Sequence, residues 1–291
     1  MKTNKFNVAA ALMLGAAFFF TSCEKDNAVE TTEVSADVST KAVPQAVIDQ
    51  VIDLGLNADY VEYRTFYMPD GSTEERLFIE KDIVMTDDQL KAAHEIHRVG
   101  QDGLEKQYIT NALVSQGRNI SIIGYTGGGG FGLSSKERTA LQWAVNNYNR
   151  LSGVSISFNL SFGTNYGNKD MVVYHNPNES GSGGSAGFPS NGRPYKFVQI
   201  YGLDSFDTNV VEHVITHEIG HSVGFRHSDW FDRLSCPPSA QGNEGAGQLG
   251  ANHVPGTPTG RDLTSVMQAC FATNEDGEFN SNDITALQYM Y

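Results

Sequence analysis

Apolar residues along this chain alternate between strand spacing and helical spacing, and each change of spacing marks an element. After Pro44, residues Val47, Val51, Ile52 and Leu54 follow a short helical pattern. Tyr60 to Tyr67 and Arg76 to Val84 then alternate, which predicts two strands around a turn at Pro69-Asp70-Gly71. Thr86 and Gln89 have capping-box spacing, so a helix is predicted to start there and run towards Arg98. Together these make a small α+β unit over residues 44–115.

A second pattern begins at residue 118. Ile120 to Tyr125 is a predicted strand, followed by the glycine run Gly127 to Gly130. Ser134 and Glu137 form another capping box, opening a helix to about Leu151 with Leu141, Ala144, Val145 and Tyr148 along one face. Val154 to Leu160 alternates as a half-buried strand does, and Met171 to Tyr174 reads as a short buried strand. Ser180 to Gly187 is glycine-rich, and Lys196 to Tyr201 is again strand-like. A mostly buried helix is predicted from Asn209, with Asn209 and Glu212 as its capping pair. This alternation implies an α/β (α+β) domain over 118–291: a mixed twisted sheet carrying helices, then an irregular C-terminal part after Gly224.

The first residues belong to neither pattern. Lys2 and Lys5 precede a mostly apolar run, Phe6 to Phe20, that is short for a membrane span. Residues 1–22 therefore read as a signal peptide. Thr21-Ser22-Cys23 resembles the lipobox of bacterial lipoproteins, although Phe20 stands where that pattern has Leu. The resemblance implies lipidation at Cys23, and Glu24-Lys25-Asp26 resembles the acidic export signal of some surface lipoproteins of Gram-negative bacteria. The alternative is an ordinary cleaved signal with an incidental cysteine. Residues 23–43, rich in Thr, Ser, Glu, Asp and Ala, have the composition of a tether. The expectation is an exported protein, held to the outer membrane or cell surface by its lipid, or else periplasmic or secreted.

A net charge of −14 repels phosphate backbones and argues against nucleic acid as a partner. In an oxidising compartment Cys236 and Cys270 are candidates for a disulfide, worth about 4 kcal/mol by chain entropy. Two buried thiols are the alternative. A monomer is expected.

The chemistry concentrates in one stretch, His217-Glu-Ile-Gly-His221-Ser-Val-Gly-Phe-Arg-His227. His217 and His221 are one helical turn apart, so their rings leave the same face and can converge on one ion. A third ligand one turn further would point along the row, so the chain must turn. Gly224 is where it can, bringing His227 back. Three neutral imidazoles leave a fourth position for water, whose pKa zinc lowers towards ~7. Glu218 projects to one side and is the candidate general base. Three histidines and an acid on a buried helix would be costly without a metal.

This long motif resembles the metzincin clan of zinc peptidases. The clan places a methionine-bearing turn beneath the zinc, and Ser265-Val266-Met267 matches it. The chain is more similar still to the bacterial dual-action HEIGH metallopeptidases, named for the string His217-Glu-Ile-Gly-His221. That similarity continues through Gly184-Ser-Ala-Gly-Phe-Pro189 and Asp283 to Tyr291, and reaches back to Glu80. It implies a zinc-dependent endopeptidase acting on protein or peptide substrates. It also implies that Ser185, Ala186 and Gly187 lie on a sheet edge where an extended substrate can pair. A catalytically inactive, surface-anchored binding protein with the same fold is the rival reading, against which the intact Glu218 argues.

The 44–115 unit is then either a propeptide or a permanent structural part. It contains no cysteine, so a carboxylate would have to cover the metal, with Asp70, Asp82 and Asp102 as candidates. Asn274-Glu-Asp-Gly-Glu278 resembles a calcium loop only loosely, and a polar loop before the last helix is preferred over calcium. His175 and His213 read as packing or supporting residues, and His94 and His97 as a solvated helix face.

Overall fold

The computed structural model describes residues 41–97, 108–247 and 250–291. The signal peptide, Cys23 and Asp102 lie outside the described residues. Among those described, no helix is long and apolar enough to cross a membrane.

Helix α1 (Gln45–Leu54) ends at Gly55, whose φ of 73° suits a residue without a side chain. Strands β1 (Val61–Tyr67), β2 (Thr73–Ile79) and β3 (Ile83–Met85) form an antiparallel three-stranded sheet in that order. The predicted turn at Pro69–Gly71 is present, with Gly71 at φ 82°. The single strand predicted over Arg76–Val84 is instead two strands. The chain reverses at Glu80 and Lys81, which take φ of 56° and 79° although neither is glycine. Tertiary contacts hold that turn: the Glu80 carboxylate accepts from the Asn57 backbone N–H at 2.9 Å and from Arg226 at 3.3 Å. Helix α2 (Asp87–His97) starts at the expected capping box, in which Thr86 and Gln89 bond reciprocally.

The second sheet has five strands: β4 (Asn119–Tyr125), β5 (Ser157–Gly163), β6 (Met171–His175), β7 (Gly183–Ser185) and β8 (Phe197–Tyr201). Their order is β5-β4-β6-β8-β7, all parallel except the edge strand β7. This is the expected mixed sheet. Helix α3 (Ser135–Asn149) carries the full Ser134–Glu137 capping box. Helix α4 (Thr208–Val223) starts one residue before the predicted Asn209, because Asp207 caps it through the Val210 N–H. Glu212, expected in the cap, turns inward and accepts from Asn147 of α3 at 2.8 Å. The two helices share a core with the sheet, including Ile122, Leu141, Val173, Ile200, Ile215 and Ile219.

Among the described residues between α4 and α5 (Ser281–Met290) the chain is irregular apart from a single 3-10 turn at Pro238–Ala240, and a Cys236–Cys270 disulfide ties this part together. Residues Thr40–Tyr291 form one compact unit. Phe66, Phe78 and Val84 of the small sheet enter the same core as the large one, so the small sheet is packed into the molecule.

Candidate metal centre

Helix α4 is buried from Val210 to Val223, which is why its ligand face can exclude water. It stops at Gly224, where φ is 113° and the N–H returns to the Gly220 and His221 carbonyls. A side chain there would also meet Leu113 Cδ2 at 2.7 Å and the Ala112 carbonyl at 3.1 Å. The turn brings His227 back to the helix. His221 Nε2 then lies 3.0 Å from His217 Nε2 and 3.2 Å from His227 Nε2. Nitrogens held about 2.0–2.1 Å from one ion at tetrahedral angles lie about 3.3 Å apart, so the donor set fits zinc.

The opposite ring nitrogens fix the tautomers. His217 Nδ1 donates to the Val266 carbonyl and His221 Nδ1 to the Phe225 carbonyl, each at 2.9 Å. His227 Nδ1 lies 2.6 Å from a Glu244 carboxylate oxygen. Each ring thus has its Nδ1 bonded outward and its Nε2 turned to the centre, the orientation that metal-ligating histidines need; His217 and His221 present a lone pair there, and His227 would do so once a metal displaces its Nε2 proton. Burial, then the neighbouring His227 charge, push His217 down to about 4. Burial and then the His217 and His227 charges push His221 well below the usual range. Burial also pushes His227 down, but the Glu244 and Asp82 carboxylates outweigh it and raise it.

Glu218 lies beside these rings, 2 % exposed, with Oε2 unpartnered within the protein. Burial, then the Asp82 carboxylate, raise it well above the usual carboxylate range. Gly184 on β7 makes room for it: a Cβ there would sit 2.5 Å from Glu218 Cγ. Met267 lies under the helix, where a side chain on Gly220 would come within 2.5 Å of its sulfur. Its turn is held by Asp283 of α5, which accepts from Ser265 Oγ at 2.6 Å and the Val266 N–H at 3.1 Å. The Val266 carbonyl that orients His217 is thus fixed from the last helix.

A cleft of about 400 Å³ opens beside His217 and Glu218, walled by Phe206, His213, Val214 and Phe271. The disulfide contributes Cys270 to its wall. His213 stacks towards His217, with ring centroids 6.5 Å apart, and stays out of the ligand cluster. His175 pairs with Glu137 at 2.8 Å, and His94 lies 3.1 Å from Asp53. Among the described residues, no gathering of metal-ligand atoms includes the Asn274–Glu278 loop.

Two features escape the sequence: a strand of the same chain that covers the sheet edge, and a buried charge network behind His227. Ser185, Ala186 and Gly187 do lie at the sheet edge beside the centre, but they are buried rather than open. Asp82 to Val84 of the same chain pair with them: the Ala186 N–H donates to the Asp82 carbonyl at 2.9 Å, and the Val84 N–H to the Ala186 carbonyl at 2.6 Å. Of the two candidate carboxylates among the described residues, Asp82 is the one at the cluster, with Oδ2 3.1 Å from His227 Nε2. Asp70 instead caps its own turn through Ser72. Behind His227 sits a buried charge network. Glu244 binds His227 and Arg233, and Arg226 bridges Glu244 at 3.5 Å and Glu80 at 3.3 Å. Nothing in local spacing announces these partners, which come from distant parts of the chain.

Two structures of myroilysin show partial similarity to this chain. One covers 62% of this chain and 82% of its own at 15% identity and a TM-score of 0.39. The other covers 66% and 90% at 16% identity and a TM-score of 0.40. No curated protein matches the chain. The family profile of the dual-action HEIGH metallo-peptidases matches residues 77–291, from strand β2 through the histidine cluster to the final residue, and the chain belongs to that family of metallopeptidases.

Proposed function

We propose that this protein is a zinc-dependent endopeptidase of the metzincin type, with His217, His221 and His227 as metal ligands and Glu218 as general base. The observation that carries the reading is the convergence of three Nε2 atoms, each ring fixed by an acceptor on Nδ1, beside a buried carboxylate with an unpartnered oxygen. Zinc at that point supplies a Lewis acid that polarises a carbonyl and makes a water more acidic near neutral pH. Glu218 takes a proton from the attacking water. The water oxygen bonds to the peptide carbonyl carbon, the C–N bond breaks, and Glu218 returns the proton to the leaving amine. The apolar cleft walled by Phe206, Val214 and Phe271 receives a substrate side chain. Protein or peptide chains are the substrates, and the enzyme works as a monomer.

The leader supports a further part of this reading: export, with lipid on Cys23 tethering the enzyme to the outer membrane or cell surface. Labelling with radioactive palmitate should mark the wild type and not Cys23→Ser; equal labelling of both removes the anchor from the proposal.

Metal analysis and casein hydrolysis after limited proteolysis test the mechanism. Wild type should hold one zinc per chain, His221→Ala should lose it, and Glu218→Gln should keep it while hydrolysis falls roughly a hundred- to ten-thousand-fold. Undiminished hydrolysis by Glu218→Gln would point to another base, and no hydrolysis by the proteolysed wild type would favour the rival reading of an inactive binding protein.

A further inference from the structure

The turn between β2 and β3 does three things at the metal centre that a merely structural hairpin need not do. First, it aims a carboxylate at the ligand cluster. Asp82 has one oxygen 3.1 Å from His227 Nε2 and the other buried without a protein partner. Potential ligand atoms of Asp82, His217, His221 and His227 all lie within 4.8 Å of one another. Three imidazoles and one carboxylate make a complete tetrahedral zinc set, whereas hydrolysis needs one position open.

Second, the turn lays its own backbone along the substrate edge. Residues 82–84 run parallel to Ser185–Gly187 and take the Ala186 N–H and carbonyl. Those are the groups that an added peptide strand would use. Gly187 permits the close approach, since a Cβ there would stand 2.5 Å from the Val84 carbonyl oxygen. Lys81 and Asp82 also line the cleft that holds Glu218, so the segment fills space on the reacting side.

Third, the turn is clamped from outside the centre. Glu80 is 1 % exposed and tied to Asn57 and Arg226, while Arg233 reaches the Glu80 carbonyl. The backbone at Glu80 and Lys81 stays in the left-handed region only while those contacts last. A segment with poor local preference, held by distant partners, is suited to release.

We infer that the β2–β3 turn is a built-in inhibitor: Asp82 is the fourth ligand of a latent metal centre, and Asp82–Val84 occupies the strand position of the substrate. The inference rests on the zinc-peptidase reading. Latency then follows from Asp82 and the strand together, and activity requires both to leave.

Cobalt in place of zinc makes the coordination visible. Full-length wild type, Asp82→Ala and Asp82→Asn are loaded with cobalt(II), their visible spectra recorded, and each titrated with acetohydroxamate, a small chelator that needs free coordination positions. Thermal melts verify folding, and Asp82→Asn preserves the side-chain size. Both variants should shift the visible bands relative to wild type, and both should bind acetohydroxamate roughly tenfold tighter or more, because the competent state is no longer masked. One cobalt per chain with identical spectra and chelator affinity in all three proteins overturns the inference and leaves the zinc reading standing. Failure of the wild type to bind cobalt, with His221→Ala indistinguishable from it, overturns both.

Discussion

Two turns meet at His227, and they are built in opposite ways. The first ends α4 at Gly224, a residue suited to φ 113° and packed so closely that no side chain would fit. The second reverses the chain at Glu80 and Lys81, which have the wrong backbone preference and are held by Asn57 and Arg226. The first turn is specified by its own residues. The second exists because other parts of the molecule support it. The ligand-forming turn is therefore expected to persist by itself, and the covering turn to open when its supports are disturbed.

Glu244 is where the two turns are joined, and removing its charge should have the largest effect. It orients His227 directly and reaches Glu80 through Arg226. Glu244→Gln leaves His227, Arg233 and Arg226 around a neutral amide. The expected cost is about 3–5 kcal/mol of stability, since a buried charge cluster loses its counter-charge. Zinc affinity should fall about 10- to 100-fold. Denaturant melts and competitive zinc titration check both quantities. A variant with wild-type zinc affinity would show that His227 is oriented by something other than this carboxylate.

Gly224→Ala comes next, at about 2–3 kcal/mol, from a strained backbone plus the contact with Leu113. The damage should reach the metal, because His227 depends on this turn, so zinc should be lost at lower chelator concentration. A stable variant with unchanged zinc affinity would mean that the α4 turn is also held from outside, and the contrast between the two turns would disappear.

The contrast also explains what could be read from the sequence. The capping boxes at Thr86 and Ser134, the histidine spacing and the Gly224 turn depend on neighbours in the chain, and they are visible there. The β2–β3 turn was invisible because Glu80-Lys81 carries none of the usual turn residues, so Arg76 to Val84 read as one strand. Its cause lies in Arg226, far along the chain. Glu212 looked like a cap for the same reason: its inward partner Asn147 belongs to another helix, while Asp207 supplied the true cap. Met267 came from family resemblance alone, and the Asp283 support beneath it had no local signal.

One disturbance should loosen α4 itself rather than the covering turn, and it sharpens the comparison through pH. Glu212 is pushed up to about 7, first by burial and then by the Glu278 charge. A carboxyl raised in the folded state favours folding most when both states are protonated, at low pH. That contribution is lost as pH rises from the ordinary carboxylate range through about 7. Wild type should therefore lose about 2 kcal/mol between pH 5 and pH 8 that Glu212→Gln does not lose. Melts of both proteins across that range decide it. Parallel pH profiles would assign the loss to another group.

The smallest effect expected is a gain, and it tests the contrast from the other side. Lys81 is exposed and sits at φ 79°, a conformation glycine adopts without penalty. Lys81→Gly relieves that strain, worth about 1.5 kcal/mol, and gives up the side chain's position over the Tyr60 ring, worth about 0.5 kcal/mol. Greater freedom of glycine in the unfolded chain reduces the net further, leaving a stabilisation of about 0.5 kcal/mol or less. The same change should keep the covering turn closed more of the time. Residual peptidase activity of the full-length chain should then fall, by about twofold at most, while metal content stays the same. Glycine thus has opposite consequences at the two turns: removing it at Gly224 breaks the centre, and adding it at Lys81 tightens the cover. If Lys81→Gly instead destabilised the protein and raised activity, the lysine side chain would be holding the turn shut, and backbone strain would not be what readies it to open.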